Sequence, residues 1–376
     1  MIVDQTQSAL FPGEKRIEHA GIAGLRYLRL GDPGRPLLVF LPGGGNLARI
    51  AYGDPGSCRF DFLDYWLERH GMGLLGLSYP SDHPTIGAAL SDLTIAAWAD
   101  WVGAITSAVL RETPERQVVV AMWSMAGRSV AAVNAALVRH GIDAICFLSL
   151  AAVPPLPGLI LVSSGREPLT SQGLWARTVT AAPDGIRDRY VQEFLAGLRD
   201  QGRDNSRSIL DEEIYLRHYM CNTPIMLRGT AQRYSSSGSS WDIEQAQDDM
   251  GATRFAEFPL TAMIVPTDRV DERHALGDRT AWHFFNVQRI RAEVAPLELA
   301  VDQWTNLRTF VERLPLRLYR EIRGGHFFFV GARGAEATVA HISSLIYEAQ
   351  GLRSKLETIL ARARSISSQA HVGGRS

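Results

Sequence analysis

The chain has 376 residues, of which 46% are hydrophobic and 21% charged. A chain of this length can bury a full core, either as one domain with insertions or as two domains. Its 39 basic and 40 acidic residues leave a formal net charge of −1, so there is no basic surplus to bind nucleic acid and no acidic tail. We therefore expect a globular protein without a nucleic-acid partner.

The cysteines and the apolar stretches indicate in which cellular compartment the protein is expected. Three cysteines lie far apart and form no C-x-x-C pair, so neither a disulfide framework nor a zinc cluster is expected. Residues 1–15 lack the apolar core of a signal peptide. The uncharged stretch 144–162 is as long as a short membrane-spanning helix, but its three prolines would break a helix. These features predict a cytoplasmic protein without a membrane span.

Strand and helix patterns alternate through the first 151 residues. Short strands are predicted at 15–20 and 25–30, and the apolar run 36–41 ends in the glycine loop Gly43 to Gly45. The elements predicted to follow are helices at 60–70, 91–111 and 125–140 and strands at 72–78, 117–123 and 144–151. Such alternation predicts a parallel sheet with helices on both faces and with ligands at the carboxyl ends of its strands.

The pattern changes after residue 157. Polar helical stretches at 188–200 and 208–220 and a Ser/Gly linker at 235–240 predict an inserted helical cap. The elements predicted after it are a strand at 259–265, a second insertion after Asp268 with a helix at 301–314, a strand at 316–322 and a helix at 335–364. The predicted units are a first core part (1–157), the cap (158–255), a second core part (256–364) and a disordered tail (365–376).

Ser124 follows an apolar, β-branched run directly and precedes small residues and an Ala/Val-rich helical stretch. A strand that turns sharply into a helix holds the side chain at the turn clear of both elements. The helix N-terminus directs its free N–H groups at the same point, where they can stabilise an oxyanion. The pattern indicates a nucleophile, with a helix-capping serine as the alternative.

Four features occur in a fixed order: the glycine loop, Ser124, an aspartate after the strand 259–265, and His326 after the last strand. This order resembles the α/β-hydrolase family, whose triad runs Ser, Asp or Glu, His. The segments 123–127 (Trp-Ser-Met-Ala-Gly) and 324–328 (Gly-Gly-His-Phe-Phe) are similar to the family's elbow and histidine segments. The resemblance implies an α/β fold with a mostly parallel α/β-hydrolase sheet, helices on both faces and an inserted helical cap.

The resemblance also implies a catalytic triad. Ser124 would attack an acyl carbon, His326 would take its proton, and Asp268 would orient the imidazole and stabilise its charged form. Asp271, three residues on, is the alternative acid if the turn is longer. We prefer Asp268 on its position directly after the strand.

Backbone N–H groups would form the oxyanion hole. The resemblance assigns one to Met125, the residue after the nucleophile, and the other to Gly44, with Gly45 as the alternative. The loop lacks the Lys-Ser/Thr ending of a phosphate-binding loop. Triad chemistry needs no cofactor, and no cluster has metal-ligand spacing, so neither a cofactor nor a metal is expected.

The elbow differs from the family pattern at one position. Met122 stands two residues before the nucleophile, where a small residue is usual, which leaves the tightness of the turn open. A G-x-S-x-A pattern at 127–131 makes Ser129 the alternative nucleophile. Choosing Ser129 would extend the strand through 124–126 and shorten the helix, so we prefer Ser124.

Substrate contacts are expected near the glycine loop and the elbow, from Gly45, Arg49, Tyr52, His83 and Trp123. Aromatic residues of the insertions are candidate pocket walls, with the cap's own core as the alternative for each: Trp175, Tyr190, Phe194, Tyr215, Tyr219 and Trp282.

The predicted function is a serine hydrolase that cleaves a carboxylic ester, thioester or lactone of a small-molecule acyl substrate. The alternatives are an acyltransferase or cyclase of small-molecule biosynthesis that uses the same triad, and a non-catalytic ligand-binding protein of this fold. The oligomeric state is open, with a homodimer as one option.

Overall fold

The computed structural model describes residues 10–113, 117–156, 167–177 and 189–373. Its strands, in chain order, are β1 (Glu14–His19), β2 (Ile22–Arg29), β3 (Leu37–Leu41), β4 (Gly73–Ser78), β5 (Val118–Trp123), β6 (Phe147–Leu150), β7 (Leu174–Trp175), β8 (Thr223–Pro224), β9 (Gln232–Ser235), β10 (Gly238–Trp241), β11 (Thr261–Pro266) and β12 (Tyr319–Ile322). Its helices are α1 (Leu63–Arg69), α2 (Ile95–Glu112), α3 (Val130–Arg139), α4 (Arg189–Asp204), α5 (Glu212–His218), α6 (Ile243–Met250), α7 (Glu272–Val294), α8 (Val301–Arg317) and α9 (Ala332–Gly373).

An eight-stranded sheet with the order β1-β2-β4-β3-β5-β6-β11-β12 forms the centre of the molecule. β2 is antiparallel to both of its neighbours, β1 and β4, and every later pair is parallel. The strands from β3 to β6 are buried along their whole length, as expected where both faces of a parallel sheet are covered. This arrangement confirms the predicted α/β class.

Helices cover both faces of this sheet. The connection from β3 through α1 to β4 crosses the sheet in one direction, whereas α2 and α3 connect their strands in the other. Because such crossovers are right-handed, α1 lies on one face and α2 and α3 lie on the opposite face. The packing agrees, since α2 contacts α3 and α9 contacts α1.

The insertion between β6 and β11 contains helices α4 to α6 and two small antiparallel sheets. The prediction of a linker at 235–240 is wrong, because β9 and β10 form a hairpin there. Gly238 adopts a φ of 107°, which this turn requires and other residues rarely adopt. α6 packs against α2 and α3, so part of the insertion lies on helices that cover the sheet. The division of the chain into a core and a cap stays a prediction.

The helices after β11 are more numerous or longer than the sequence predicts. Two helices, α7 and α8, fill the insertion before β12. α9 continues to Gly373, through most of the segment 365–376 for which the sequence predicts disorder. Once a helix has formed, each added residue gains a backbone hydrogen bond, so a polar sequence can continue it.

No helix within the described ranges is both long and apolar enough to cross a membrane. The uncharged stretch 144–162 contributes β6, and its residues from 157 onward lie outside the described part of the chain. All three cysteines are described and are free thiols, with Cys58 exposed and Cys146 and Cys221 buried.

Candidate active site

Ser124 follows β5 in a strained backbone conformation. Its φ is 53°, in the left-handed region that residues other than glycine seldom adopt. A short 3-10 helix over Ser124–Ser129 begins at once, so the chain reverses sharply from strand to helix. The turn directs the Ser124 side chain into a cavity of about 450 Å³. Met122 is fully buried in β5 and does not prevent this turn.

Two glycines allow backbone segments to approach the elbow. A Cβ atom on Gly43 would lie 2.8 Å from the Cβ of Ser124, and one on Gly127 would lie 2.6 Å from the carbonyl oxygen of Val153. Real Cβ atoms are almost never this close to another heavy atom, so side chains are excluded at both positions. The Val153 N–H donates to the Ser124 carbonyl over 2.7 Å, which ties the elbow to the segment after β6.

Ser129 lies at the far end of the same short helix and does not line the cavity. Its side chain is buried, and its hydroxyl donates to the carbonyl oxygen of Ala126 over 2.7 Å. This hydroxyl serves the backbone, so the geometry favours Ser124 over Ser129 as the nucleophile.

His326 lies in the loop after β12 and lines the same cavity as Ser124. Its Nδ1 is 2.8 Å from Oδ2 of Asp271. Donation of the Nδ1 proton to this carboxylate leaves Nε2 unprotonated, as a general base requires. No hydrogen bond joins Ser124 Oγ to His326 among the described contacts. Such bonds are often long before substrate binds and shorten in the complex.

The preference for Asp268 as the partner of His326 is wrong. The Asp268 N–H donates to the Gly324 carbonyl over 3.1 Å, and the Asp268 carbonyl accepts from the Asp271 N–H over 3.0 Å. A 3-10 turn over Arg269–Asp271 therefore follows Asp268. This turn carries the chain further than the sequence pattern suggests and brings the alternative acid, Asp271, to the imidazole.

Each of these positions lies at the carboxyl end of a sheet strand. The glycine loop follows β3, Ser124 follows β5, Asp271 follows β11, and His326 follows β12. The order along the chain is Ser, Asp, His, with the serine on a strained strand-to-helix turn in the middle of the sheet. The chain has the α/β-hydrolase fold.

The charge on Asp271 is supported by its surroundings. Burial acts to raise the pKa of Asp271, but the charge and hydrogen bond of His326, together with the charges of His274 and Arg273, outweigh it, so the pKa lies below its usual value. An ionised Asp271 can hold the imidazole of His326 in one tautomer and stabilise it when it becomes charged.

A second histidine–aspartate pair lies beside the first. Nδ1 of the buried His274 is 2.9 Å from Oδ1 of Asp278, and its Nε2 is 2.9 Å from Nη2 of Arg273. Asp271, His274 and His326 offer ligand atoms within 4.8 Å of one another, a spacing that suits a metal ion. The guanidinium of Arg273 already contacts His274 Nε2 and would repel a cation there, so we assign no metal to this group.

The glycine loop presents backbone donors to the cavity of the α/β-hydrolase fold. Gly44 and Met125 both line the cavity. A Cβ atom on Gly44 would lie 2.7 Å from the ring of Trp175, so only glycine fits there. The Gly45 N–H donates to Thr223 Oγ1 over 2.8 Å and is occupied. This contact leaves the Gly44 N–H, rather than that of Gly45, as the candidate loop donor.

Three of the residues expected to contact substrate form a closed cluster elsewhere. Arg49 is fully buried and its Nε donates to Glu14 Oε1 over 2.7 Å. The Tyr52 hydroxyl donates to the same carboxylate over 2.8 Å. His83 is buried and its Nε2 lies 3.0 Å from the carbonyl oxygen of Arg217. Arg49, Tyr52 and His83 lie outside the cavity, which contradicts the prediction that they contact substrate.

Trp123 and Gly45 also do not line the cavity. Trp123 lies behind His326, where its indole Nε1 donates to the His326 carbonyl over 3.1 Å and its ring centroid is 5.4 Å from that of the imidazole. These contacts place Trp123 as a support of the histidine loop, away from the cavity.

Aromatic side chains of the first insertion form part of the cavity wall. Trp175, Tyr190 and Phe194 line it, as predicted, together with Phe327 next to the histidine. Tyr215, Tyr219 and Trp282 are buried in the core instead, which was the alternative interpretation.

Three arginines that the sequence analysis did not single out also line the cavity: Arg128, Arg228 and Arg273. Isolated arginines are usually exposed, and nothing in their sequence context distinguishes these three from surface residues.

The chain has only low similarity to known proteins. No family model and no curated protein matches the chain. Among solved structures, a carboxyl esterase from Bacillus coagulans is 9% identical, with a TM-score of 0.47 over 89% of this chain and 98% of that one. A thioesterase domain from the curacin biosynthetic pathway is 13% identical, with a TM-score of 0.39 over 89% and 98%. An AqdC variant that cleaves the ring of the Pseudomonas quinolone signal is 14% identical, with a TM-score of 0.44 over 89% and 99%.

Proposed function

We propose that the protein is a serine hydrolase that cleaves a carboxylic ester, thioester or lactone through an acyl-enzyme. The observation that carries the proposal is the strained Ser124, which opens onto the same cavity as the paired His326 and Asp271. Acyl transfer to a hydroxyl needs an accessible serine, a histidine with one free ring nitrogen and a carboxylate that fixes the histidine tautomer. The site offers all three.

In the proposed reaction, Ser124 Oγ attacks the acyl carbon and passes its proton to His326 Nε2. Asp271 stabilises the imidazolium that forms. The N–H groups of Gly44 and Met125 would stabilise the oxyanion of the tetrahedral intermediate. His326 then gives its proton to the leaving alcohol or thiol, and a water molecule, activated by the same histidine, hydrolyses the acyl-enzyme.

The cavity wall supports this chemistry. Trp175, Phe194 and Phe327 line the space next to Ser124 and His326. Apolar walls displace water and so strengthen the electrostatic interactions that stabilise the transition state. A capping role for the insertion that contributes Trp175 and Phe194, and a cytoplasmic location, remain predictions.

The nucleophile can be identified directly. Treatment with a fluorophosphonate, followed by peptide mass spectrometry, is expected to give one adduct on Ser124. The Ser124→Ala variant should not react, whereas the matched Ser129→Ala variant should react like the wild type. A folded wild-type protein that gives no adduct would support the non-catalytic alternative, and an adduct on Ser129 would overturn the assignment of Ser124.

Hydrolysis and acyl transfer share the acyl-enzyme and differ in the molecule that resolves it. With a p-nitrophenyl ester, we expect a burst of p-nitrophenol followed by steady release of free acid. Added alcohol or amine acceptors should change the product only slightly if water is the natural acceptor. Acylated acceptor as the main product would instead favour the acyltransferase.

A further inference from the structure

Arg128 follows Ser124 by four residues and lines the same cavity, although only 3% of it is exposed. Its Nη1 lies 3.3 Å from the carbonyl oxygen of Leu156 and 3.9 Å from Sδ of Met250. Its Nε has no hydrogen-bond partner among the residues that the structure describes. No ion pair to a carboxylate joins Arg128 within the described part of the chain. A buried guanidinium without an anion is costly, so this residue is a candidate for ligand binding.

Two further arginines belong to the same cavity wall. Arg228 and Arg273 line the cavity with Arg128. Burial lowers the pKa of Arg128 to about 9, and the charges of Arg273 and Arg228 add to this effect. The Arg128 side chain is still charged near neutral pH, so a buried positive charge lies in the wall of the cavity that contains Ser124.

The carboxylates of the cavity wall do not neutralise Arg128. Glu167 pairs with Arg228 but is not part of the lining. The carboxylates that line the cavity each have another basic partner: Glu193 pairs with Arg189, Asp200 with Arg203, and Asp271 with His326.

We propose that the substrate carries an anionic group, a carboxylate or a phosphate, that Arg128 binds together with Arg228 and Arg273 while the acyl carbon lies at Ser124. This inference rests on the proposed function and names its substrate class. A guanidinium binds either anion through parallel N–H donors and loses little hydration in doing so. Because the cavity of about 450 Å³ also contains Ser124, the anionic group is only a few bonds from the reacting carbonyl.

The test compares three p-nitrophenyl esters of nearly equal length. They are the monoester of adipic acid, its methyl-capped neutral counterpart, and the ester of 5-phosphonopentanoic acid. We expect kcat/KM for an anionic ester to exceed that for the neutral ester by about 10- to 100-fold, since hydrogen bonds to charged groups are the strong ones. The carboxylate and the phosphonate identify which anion is preferred.

Variants should change this preference selectively. Arg128→Gln is expected to bring the ratio of anionic to neutral kcat/KM close to one, and Arg128→Lys to preserve part of it. Arg139→Gln is the matched control, because Arg139 is exposed on α3, pairs with Asp100 and lies outside the cavity. If Arg128 is only structural, Arg128→Gln lowers the unfolding temperature and leaves the ratio unchanged, which overturns the inference.

A binding measurement separates this inference from the proposed function. Calorimetric titration of Ser124→Ala with monomethyl adipate should give binding that dimethyl adipate lacks and that Arg128→Gln abolishes. If the wild type hydrolyses all three esters equally through Ser124, the anion site is rejected and the serine hydrolase stands. If monomethyl adipate binds in an Arg128-dependent way but no ester is cleaved and no fluorophosphonate adduct forms, the hydrolase is rejected and the anion site stands.

Discussion

Two regions of the molecule use the same residue types in opposite ways. The structural cluster consists of the buried Glu14, Arg49 and His83 and the half-buried Tyr52, and its polar groups bind each other. Nε and Nη2 of Arg49 both donate to the carboxylate of Glu14, over 2.7 and 2.8 Å. The candidate active-site cavity also holds a buried arginine, a histidine and a carboxylate, but Arg128 pairs with no carboxylate of the described residues.

The two regions differ in whether their polar groups already have partners. In the structural cluster, polar groups bind each other. In the cavity, Ser124, His326 and Arg128 line a space that a ligand can enter. Substitutions in the cluster should therefore affect stability, and substitutions in the cavity should affect activity.

The largest expected effect is in the cavity. Asp271→Asn should lower kcat by about 10⁴-fold, because the asparagine no longer fixes the tautomer of His326. The free energy of unfolding should change by only about 1 kcal/mol, because the pair is not a deeply buried ion pair. Steady-state kinetics and urea denaturation measure the two quantities.

Asp268→Asn is the matched control for Asp271→Asn, because Asp268 contributes backbone hydrogen bonds to the same turn. Its kcat should stay within about threefold of the wild type, since no charge facing His326 is removed. A loss as large as that of Asp271→Asn would contradict the assignment of Asp271 as the triad acid.

The structural cluster should respond in the opposite way. Glu14→Gln leaves Arg49 buried with an uncompensated charge and should lower the free energy of unfolding by about 3–5 kcal/mol. The activity of the remaining folded protein should not change, because neither residue lines the cavity. Urea denaturation, together with activity corrected for the folded fraction, tests this. A variant that stays stable but loses activity would place the cluster in the functional site.

The cluster should also make the fold sensitive to acid. Burial lowers the pKa of His83 to about 4, with the charge of Arg49 adding to the effect. The unfolded chain binds a proton near the usual histidine pKa of about 6.5, so the stabilisation is complete above that pH and is lost as the pH falls toward 4. The loss amounts to about 3 kcal/mol.

Urea denaturation between pH 7 and pH 4.5 measures this dependence. His83→Gln should lose less stability over that range, because glutamine can donate to the Arg217 carbonyl and accept from the Thr85 N–H without taking up a proton. The same slope in both proteins would show that the acid sensitivity arises elsewhere.

The smallest effect is expected next to the nucleophile. Ser129→Ala removes one buried hydrogen bond, to the Ala126 carbonyl, and should cost about 1 kcal/mol of stability. Its kcat and KM should match the wild type. Loss of activity without loss of stability would mean that Ser129 belongs to the functional cavity, which would contradict its assignment as a structural residue.

Local sequence patterns predicted those features whose structure is set by residues close to them in the chain. Apolar periodicity identified the buried strands, and the abrupt end of the run before Ser124 identified the elbow. The Gly-Gly-His segment likewise placed His326 at the cavity.

The errors arose where distant partners decide the outcome. Arg49 meets a carboxylate 35 positions away, and His83 meets a carbonyl 134 positions away. Both residues follow strands at the correct edge of the sheet, so their positions suggested substrate contact. Asp271, rather than Asp268, pairs with His326 because a 3-10 turn follows β11. Arg128 gave no local signal, because its burial is set by how distant segments pack around it.

The hydrogen bond from the Trp123 indole to the His326 carbonyl spans 203 positions of the chain. It joins the residue next to Ser124 to the proposed base, and His326 is synthesised long after Trp123. A growing chain that ends after α7 contains Ser124 and Asp271 with an incomplete sheet, because β12 and His326 are still missing. Reactivity toward acyl groups should therefore arise abruptly, when β12 pairs with β11, and would serve as a signal that the sheet is complete.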